Sequence, residues 1–164
     1  DVVYDGISNV FRVMNPTPQV QSRFLAVLAS NYLNNTGAGT TLIVVNTNEI
    51  YDDAGEHVTS NGQFTATVVG RYHFDGQVFV SGVTALMTDM ICEINTSNGR
   101  YYKQGAGFTS ADSTGQLFCD VHADADMDAG DIAYFDVTLS GGAANSADVT
   151  VLVRSTYFSG HLIR

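Results

Sequence analysis

The chain has 164 residues, enough for one domain with a sizeable core, and it carries 17 Asp and Glu residues against 7 Lys and Arg. A formal net charge of −10 argues against nucleic acid as a partner, because binding to a phosphate backbone requires a positively charged surface. No apolar run approaches the ~20 residues that a membrane-spanning helix needs, so we expect no membrane insertion.

The first 21 residues differ in character from the rest of the chain. Residues 3–6 read Val-Tyr-Asp-Gly and are followed by Phe11 and Arg12, a pattern that predicts a short hairpin and resembles a segment of bacteriophage tail-fibre and appendage proteins. A generic Asp-Gly turn explains this pattern equally well. Pro16 and Pro18 then indicate extended backbone that cannot donate hydrogen bonds to a central strand. We therefore predict a connector from a preceding stalk or domain at 1–21 and a head domain at 22–164.

A two-residue hydrophobic period predicts strands along most of the remaining chain. Tyr72, Phe74, Val78 and Val80 alternate with polar residues, and the valines at 149, 151 and 153 follow the same pattern. Helical spacing is nowhere sustained. Further strands are expected at 23–28, 41–45, 90–95, 100–108, 117–121 and 132–139, separated by turns rich in Gly, Asn and Ser. Many short strands with frequent turns indicate a sandwich.

The segment 62–74 reads Gly-Gln-Phe-Thr-Ala-Thr-Val-Val-Gly-Arg-Tyr-His-Phe, in which each of two turn glycines leads into a strand. With residues on either side it forms an ordered set: Asn46, Tyr51, Asp52, Gly62, Phe64, Gly70, Tyr72, Phe74, Gly130, Asp131, Phe158, Gly160 and Leu162. Over residues 22–164 this set resembles the complement C-one-q globular-head family of tumour-necrosis-factor-like proteins. The resemblance implies an all-β jelly-roll sandwich of about ten antiparallel strands, assembled as a homotrimer on a longer, stalked chain.

Strand directions that alternate back from the C-terminus place the loops 81–87, 108–115 and 140–147 at the end far from the connector, while 97–100 and 126–131 face the stalk. We expect a partner to dock at this free tip. The candidate binding residues are Thr84, Leu86, Met87, Thr109, Asp112, Ser113 and Asn145. The chain has no Trp, which argues against a strong glycan pocket within one subunit and leaves grooves between subunits open.

The resemblance also implies that aromatic side chains fill a threefold contact. The candidates for this interface are Tyr72, Phe74, Tyr134, Tyr157 and Phe158. The alternative is that all of them lie in the core of the single chain. Because a trimer triples the negative charge, we expect the acidic strand described next to point away from the axis.

The acidic segment 120–131 is the one constellation that could carry chemistry. In a strand, the residues Asp120, His122, Asp124, Asp126 and Asp128 share one face. Oxygen ligands at this density suit calcium, and the candidate ligands are Asp124, Asp126, Asp128 and Asp131. A solvated acidic face without any metal is the preferred interpretation, and no other cofactor is expected.

No catalytic signature accompanies these residues. The four histidines, His57, His73, His122 and His161, are scattered over different elements, and nucleophile-elbow and phosphate-cradle motifs are absent from the sequence. We therefore expect a protein that is not an enzyme. Cys92 and Cys119 are expected to be two buried free thiols, with an intrachain bridge as the alternative.

Three functions follow from these features. The preferred one is a non-enzymatic trimeric head of a virion surface protein, such as a phage fibre, spike or capsid decoration, which contacts a cell-surface receptor, a glycan or virion shell proteins. The second is a secreted, extracellular recognition module on a collagen-like stalk, in which Asn34 and Asn95 are glycosylation acceptors. The third is a purely structural trimerisation cap.

Overall fold

The computed structural model describes residues 2–5, 10–13, 20–106, 115–152 and 154–163. Every regular element in these ranges is a β-strand, and every strand pairing is antiparallel. The strands are β1 (Val2–Asp5), β2 (Val10–Val13), β3 (Arg23–Val27), β4 (Tyr32–Thr36), β5 (Thr41–Ile43), β6 (Asn48–Asp52), β7 (His57–Val58), β8 (Gln63–Thr65), β9 (Gly70–Ser81), β10 (Asp89–Thr96), β11 (Gly99–Ala106), β12 (Leu117–Met127), β13 (Ile132–Ser140), β14 (Ala147–Val149) and β15 (Tyr157–Ile163).

The strands of the head form two sheets. The seven-stranded sheet has the order β4-β14-β9-β15-β3-β6, and β12 pairs with β9. The six-stranded sheet has the order β11-β10-β13-β8-β7, and β5 pairs with β13. The long strand β9 organises the first sheet, because β12 runs antiparallel to it from Gly70 to Val80 while β15 pairs with it from Arg71 to Gln77. The two sheets pack face to face, which confirms the predicted all-β jelly-roll sandwich.

The core between the sheets is built from aromatic rings. Tyr72, Phe74 and Phe158 of the seven-stranded sheet meet Phe64 and Phe135 of the six-stranded sheet, and all five are fully buried. Ring centroids in this cluster lie 5.3 to 6.3 Å apart. Burial of each such side chain contributes roughly 1.5–3 kcal/mol, so this cluster is a main source of the stability of the fold.

The two cysteines correct an expectation. Cys92 of β10 and Cys119 of β12 form a disulfide bond, so the prediction of two free thiols is wrong and the alternative of an intrachain bridge is confirmed. Both side chains point into the core from facing sheets, and their Cα atoms lie 6.1 Å apart, within the range that a disulfide spans. The bond therefore ties the two layers of the sandwich together.

The hairpin predicted near the N-terminus is confirmed. β1 and β2 pair in register from Val2 with Val13 to Asp5 with Val10, and they form a two-stranded sheet of their own. The two prolines of the predicted connector lie outside the described residues.

The strand predicted through the valines at 149, 151 and 153 is wrong beyond its first residue. β14 ends at Val149, Val151 and Leu152 are 38% and 50% exposed, and residue 153 lies outside the described part of the chain. The backbone turns here, because the Ser155 amide donates to the Leu152 carbonyl and the Leu152 amide donates to the Ser155 hydroxyl. In this segment the alternation of apolar residues therefore belongs to a loop and does not mark a strand.

Candidate functional site

The strand β12 presents two faces of opposite character. Ala123 and Ala125 are buried against the core, whereas Asp124 and Asp126 point to solvent on the outer face of the seven-stranded sheet. This confirms the predicted alternation of the acidic segment over the length of the strand. Asp128 is also exposed but follows the end of the strand at Met127.

Strand register brings the acidic strand against histidines of its neighbours. Asp75 of β9 lies directly opposite His122 of β12, and His73 of β9 lies between Asp124 of β12 and His161 of β15. Directly opposite side chains in a sheet share one face with their Cβ atoms about 5 Å apart, so these groups are in contact. We name His73, Asp75 and His122 the His–Asp cluster.

The polar atoms of the His–Asp cluster converge. The Nε2 atom of His73 lies 3.2 Å from Oδ1 of Asp75, and the Nδ1 atom of His122 lies 2.5 Å from the same oxygen. One ligand atom from each of the three residues lies within 4.8 Å of the others. Among the described residues this is the one group of His, Cys, Asp and Glu side chains that meets in this way.

Each imidazole of the cluster has a second carboxylate on its other nitrogen. Asp124 Oδ1 lies 2.6 Å from Nδ1 of His73, and Asp120 Oδ2 lies 3.3 Å from Nε2 of His122. The hydrogen bond with Asp124, together with the charge of Asp75, raises the pKa of His73 above its ordinary value. The pKa of Asp120 is lowered, chiefly by its hydrogen bond with the Lys103 ammonium at 2.8 Å.

The four carboxylates predicted as calcium ligands do not converge on one point. Asp126 forms a two-pronged ion pair with Arg71 at 2.8 and 2.9 Å, which lowers the pKa of Asp126. Asp131 accepts hydrogen bonds from Asn98 and from the backbone amide of Asp128 and thereby closes the turn after β12. With Asp124 held by His73, the set Asp124, Asp126, Asp128 and Asp131 is divided among separate partners, and calcium binding by these four stays a prediction.

A groove crosses the outer face of the same sheet and reaches the His–Asp cluster. Its walls include Val20, Tyr51, Val68, Asp75, His161 and Leu162. Arg23 lies over the Tyr51 ring at 5.5 Å on one side of the groove. The groove therefore combines aromatic and apolar walls with the Asp75 carboxylate.

The described parts of the loops predicted to form a tip lie together. The Val83 amide donates to the Gly115 carbonyl and the Thr88 amide donates to the Ser140 carbonyl, both at 2.9 Å. The loops 97–100 and 126–131 meet at the opposite end, where the Asn98 side chain donates to the Asp126 carbonyl and to Asp131. Sequence reasoning missed the loop 37–40, which joins the tip through a hydrogen bond from Gly142 to Gly37.

The individual tip candidates have different outcomes. Leu86 is 77% exposed, and Thr84 and Asn145 also face solvent. Met87 is 2% exposed and packs in the core, so its prediction as a binding residue is wrong. Thr109, Asp112 and Ser113 lie outside the described residues.

Three of the five interface candidates are also wrong. Tyr72, Phe74 and Phe158 have no exposed surface in the single chain, because they fill the core between the sheets. Tyr134 and Tyr157 are half-buried and lie on different sheets. Tyr157 lies opposite Gln77 of β9, on the sheet face that carries Asp75, and burial, with the charges of Asp75 and Asp120, raises the pKa of Tyr157.

Comparison with known proteins places the fold. No protein-family model matches the sequence, and no curated protein matches it. Among solved structures, the globular domain of zebrafish complement 1qA matches with a TM-score of 0.58 and 13% identity over 88% of this chain and 98% of that domain. Murine APRIL matches with a TM-score of 0.56 and 10% identity over 87% of this chain and 99% of that structure.

These likenesses establish the fold. The chain is a jelly roll of the complement-head and tumour-necrosis-factor-like type, as the sequence resemblance implied. The similarity of residues 3–6 to phage appendage proteins stays a prediction. Within the described ranges there is no helix with the length and apolar character to cross a membrane.

Proposed function

We propose that the chain is a non-enzymatic, trimeric head domain that presents its tip loops to a receptor or glycan. The observation that carries this proposal is the arrangement of the two ends. The chain leads into the sandwich at Ser22, whose carbonyl accepts a hydrogen bond from Leu162, while the loops around Leu86 and Asn145 gather at the other end of β9. A domain with this geometry displays its tip away from whatever carries it.

The fold supports assembly of three copies, and the outer face of the seven-stranded sheet offers a contact surface. This face also carries the acidic residues of β12, so this contact departs from the expectation that the acidic strand points away from the axis. Phe118 is 56% exposed and packs on Phe79 with ring centroids 4.5 Å apart, and Tyr51 is 41% exposed on the same face. Half-buried Tyr157 lies between them on β15. Exposed aromatic side chains of this kind are enriched at protein interfaces.

Assembly is tested by sedimentation equilibrium of the chain at micromolar and nanomolar concentrations. We expect three times the chain mass of 17.5 kDa. A monomer across the whole range would overturn the trimeric part of the proposal.

Ligand presentation at the tip is tested with surface variants in a cell-binding and glycan-binding screen. Leu86→Asp and Asn145→Asp alter exposed tip residues and should abolish binding without loss of stability. Val69→Asp is the matched control, because Val69 is 66% exposed beside Gly70 at the stalk-facing end of β9. Equal loss of binding in all three variants would remove the tip as the binding surface, and absence of any binding partner would favour the structural trimerisation cap.

At a finer level we propose a virion surface protein, and one observation favours the secreted, extracellular module instead. The Cys92–Cys119 disulfide is a feature of proteins that mature in an oxidising compartment. The secreted module has two predicted glycosylation acceptors. Asn34 is exposed, whereas the side-chain amide of Asn95 already donates a hydrogen bond to Asp136 at 2.8 Å. The sequence upstream in the parent protein would distinguish the virion surface protein from the secreted module. Gly-X-Y triplets imply a collagen-like stalk, and fibre-type segments imply a virion.

A further inference from the structure

We propose that the His–Asp cluster of His73, Asp75 and His122 is a zinc-binding site that holds one ion per chain. The three residues come from two neighbouring strands, and no part of the site depends on a second copy of the chain. Zinc binding therefore needs no second copy of the chain, although the cluster lies on the sheet face that is proposed above as the contact between copies.

The spacing of the ligand atoms fits a tetrahedral ion. Zn–N and Zn–O bonds of about 2.0–2.2 Å place neighbouring ligand atoms roughly 3.3 Å apart. The Nε2 atom of His73 already lies 3.2 Å from Oδ1 of Asp75. The ring of His122, whose Nδ1 is 2.5 Å from the same oxygen, needs to retreat by less than about 1 Å, and its side chain is 56% exposed and free to do so.

Each imidazole has a carboxylate beside its second ring nitrogen, as metal-bound histidines usually do. A ligating histidine almost always donates its second ring nitrogen to a carboxylate or carbonyl, which fixes the tautomer and aims the first nitrogen at the metal. Asp124 lies 2.6 Å from Nδ1 of His73, and Asp120 lies 3.3 Å from Nε2 of His122. These two aspartates leave the remaining nitrogens, Nε2 of His73 and Nδ1 of His122, facing the Asp75 carboxylate.

The local charge also favours a cation. Asp75, Asp120 and Asp124 surround the two imidazoles, and Lys103 is the ammonium paired with Asp120. The guanidinium of Arg71 is paired with Asp126, the next residue after Asp124 on the same face of β12. A divalent ion offsets this negative excess on one sheet face.

The donor set distinguishes zinc from calcium. Two imidazole nitrogens and one carboxylate are ligands that zinc prefers, whereas calcium takes six to eight oxygens. The fourth position belongs to water or to His161, whose ring centroid is 5.4 Å from that of His73. The cluster is also open to solvent, since the side chains of His73 and Asp75 are 31% and 29% exposed.

The test is isothermal titration of the tag-free chain with zinc chloride and, separately, with calcium chloride. We expect one zinc ion per chain and no saturable calcium binding. Asp75→Asn and His122→Gln should abolish zinc binding, while Asp126→Asn, an acid of the same strand face that is held by Arg71, should retain it. Circular dichroism confirms that each variant is folded, and His122→Gln is the decisive one because its side chain is the most exposed of the three.

The outer carboxylates provide a graded readout. Asp124→Asn and Asp120→Asn should each raise the dissociation constant for zinc by about 10–100-fold without changing the stoichiometry. Cobalt substitution should give the absorption of a four-coordinate ion in the parent and none in Asp75→Asn. No zinc binding by the parent, or unchanged binding by folded His122→Gln and Asp75→Asn, would overturn the site.

Discussion

Glu93 of β10 and Asp136 of β13 are direct cross-strand partners, and they are only 4% and 5% exposed. The Glu93 carboxylate pairs with Arg100, whereas Asp136 accepts one hydrogen bond from Asn95 through Oδ2 and its Oδ1 has no partner. Burial first, and the neighbouring charge of Glu93 second, raise the pKa of Asp136 from its ordinary value of 3.8 to about 7. In the folded chain Asp136 therefore keeps its proton at a pH at which the same carboxyl in the unfolded chain has lost it.

Stability should depend on pH through Asp136. Between about pH 4 and pH 7 the folded chain holds a proton that the unfolded chain has lost, so the free energy of unfolding falls as the pH rises through this window. Asp136→Asn removes this dependence, and the variant should gain stability relative to the parent at pH 8 but not at pH 4. Urea midpoints across this range measure it.

The control for this series is Asp128→Asn, because Asp128 is exposed after the end of β12. Its midpoint should follow that of the parent at every pH. Parallel curves for the parent and Asp136→Asn would show that Asp136 ionises normally in the folded chain.

Much of the sandwich was predictable because half-buried strands leave a local signature. In β9 the residues Tyr72, Phe74, Val78 and Val80 are all buried, as their alternation predicted. Among the strands that sequence reasoning missed, β4 has two exposed residues and a positive φ of 56° at Asn34, so it carries no such period. The disulfide was not predictable, because facing residues of two sheets are related by the fold and not by spacing.

Loss of the disulfide should destabilise the fold. Cys92 and Cys119 are separated by 27 residues, and closure of a loop of this length contributes about 3.5 kcal/mol in the chain-entropy description. Reduction of the parent should lower the urea midpoint accordingly. The double variant Cys92→Ala, Cys119→Ala should start at the lower value and respond to no reductant. Two reactive thiols in the unfolded, unreduced parent would contradict the bond.

An added methyl group at Gly160 should be costly. A Cβ at this position would lie 2.6 Å from Cδ1 of Phe74 and 2.8 Å from Cε1 of Phe24, both in the packed core. Overpacking of this kind costs about 1–3 kcal/mol, so Gly160→Ala should lower the melting temperature. Gly105→Ala is the control, since nothing lies within 4 Å of the position that a Cβ would take there and alanine suits a strand better than glycine. Equal stability of the two variants would contradict the tight packing.

The sequence predicted which residues of each strand share a face in the candidate site, but not which strands are neighbours. The spacing of Asp120, His122 and Asp124 at every second residue correctly placed them on one face, and His73 and Asp75 are spaced in the same way. The sequence could not reveal that β9 and β12 are neighbours in the register that sets His122 opposite Asp75, since register is fixed by the packing of the whole sheet.

The proposed contact between copies makes opposite predictions for two exposed aromatic residues. Phe118 lies on the outer face of the seven-stranded sheet and is 56% exposed, whereas Tyr102 lies on β11 of the six-stranded sheet and is 64% exposed. A buried charge in an interface without a partner is strongly unfavourable. Phe118→Asp should therefore sediment as a monomer, and Tyr102→Asp should keep the trimeric mass.

A second variant separates loss of contact from loss of folding, because Phe118 also covers Phe79. Tyr51→Asp changes the same face at β6, where the side chain packs against Arg23 and not against the core. It should dissociate the trimer while its circular dichroism spectrum stays that of the parent. Dissociation by Tyr102→Asp alone would move the contact to the six-stranded sheet, and the His–Asp cluster would then face solvent in the assembly.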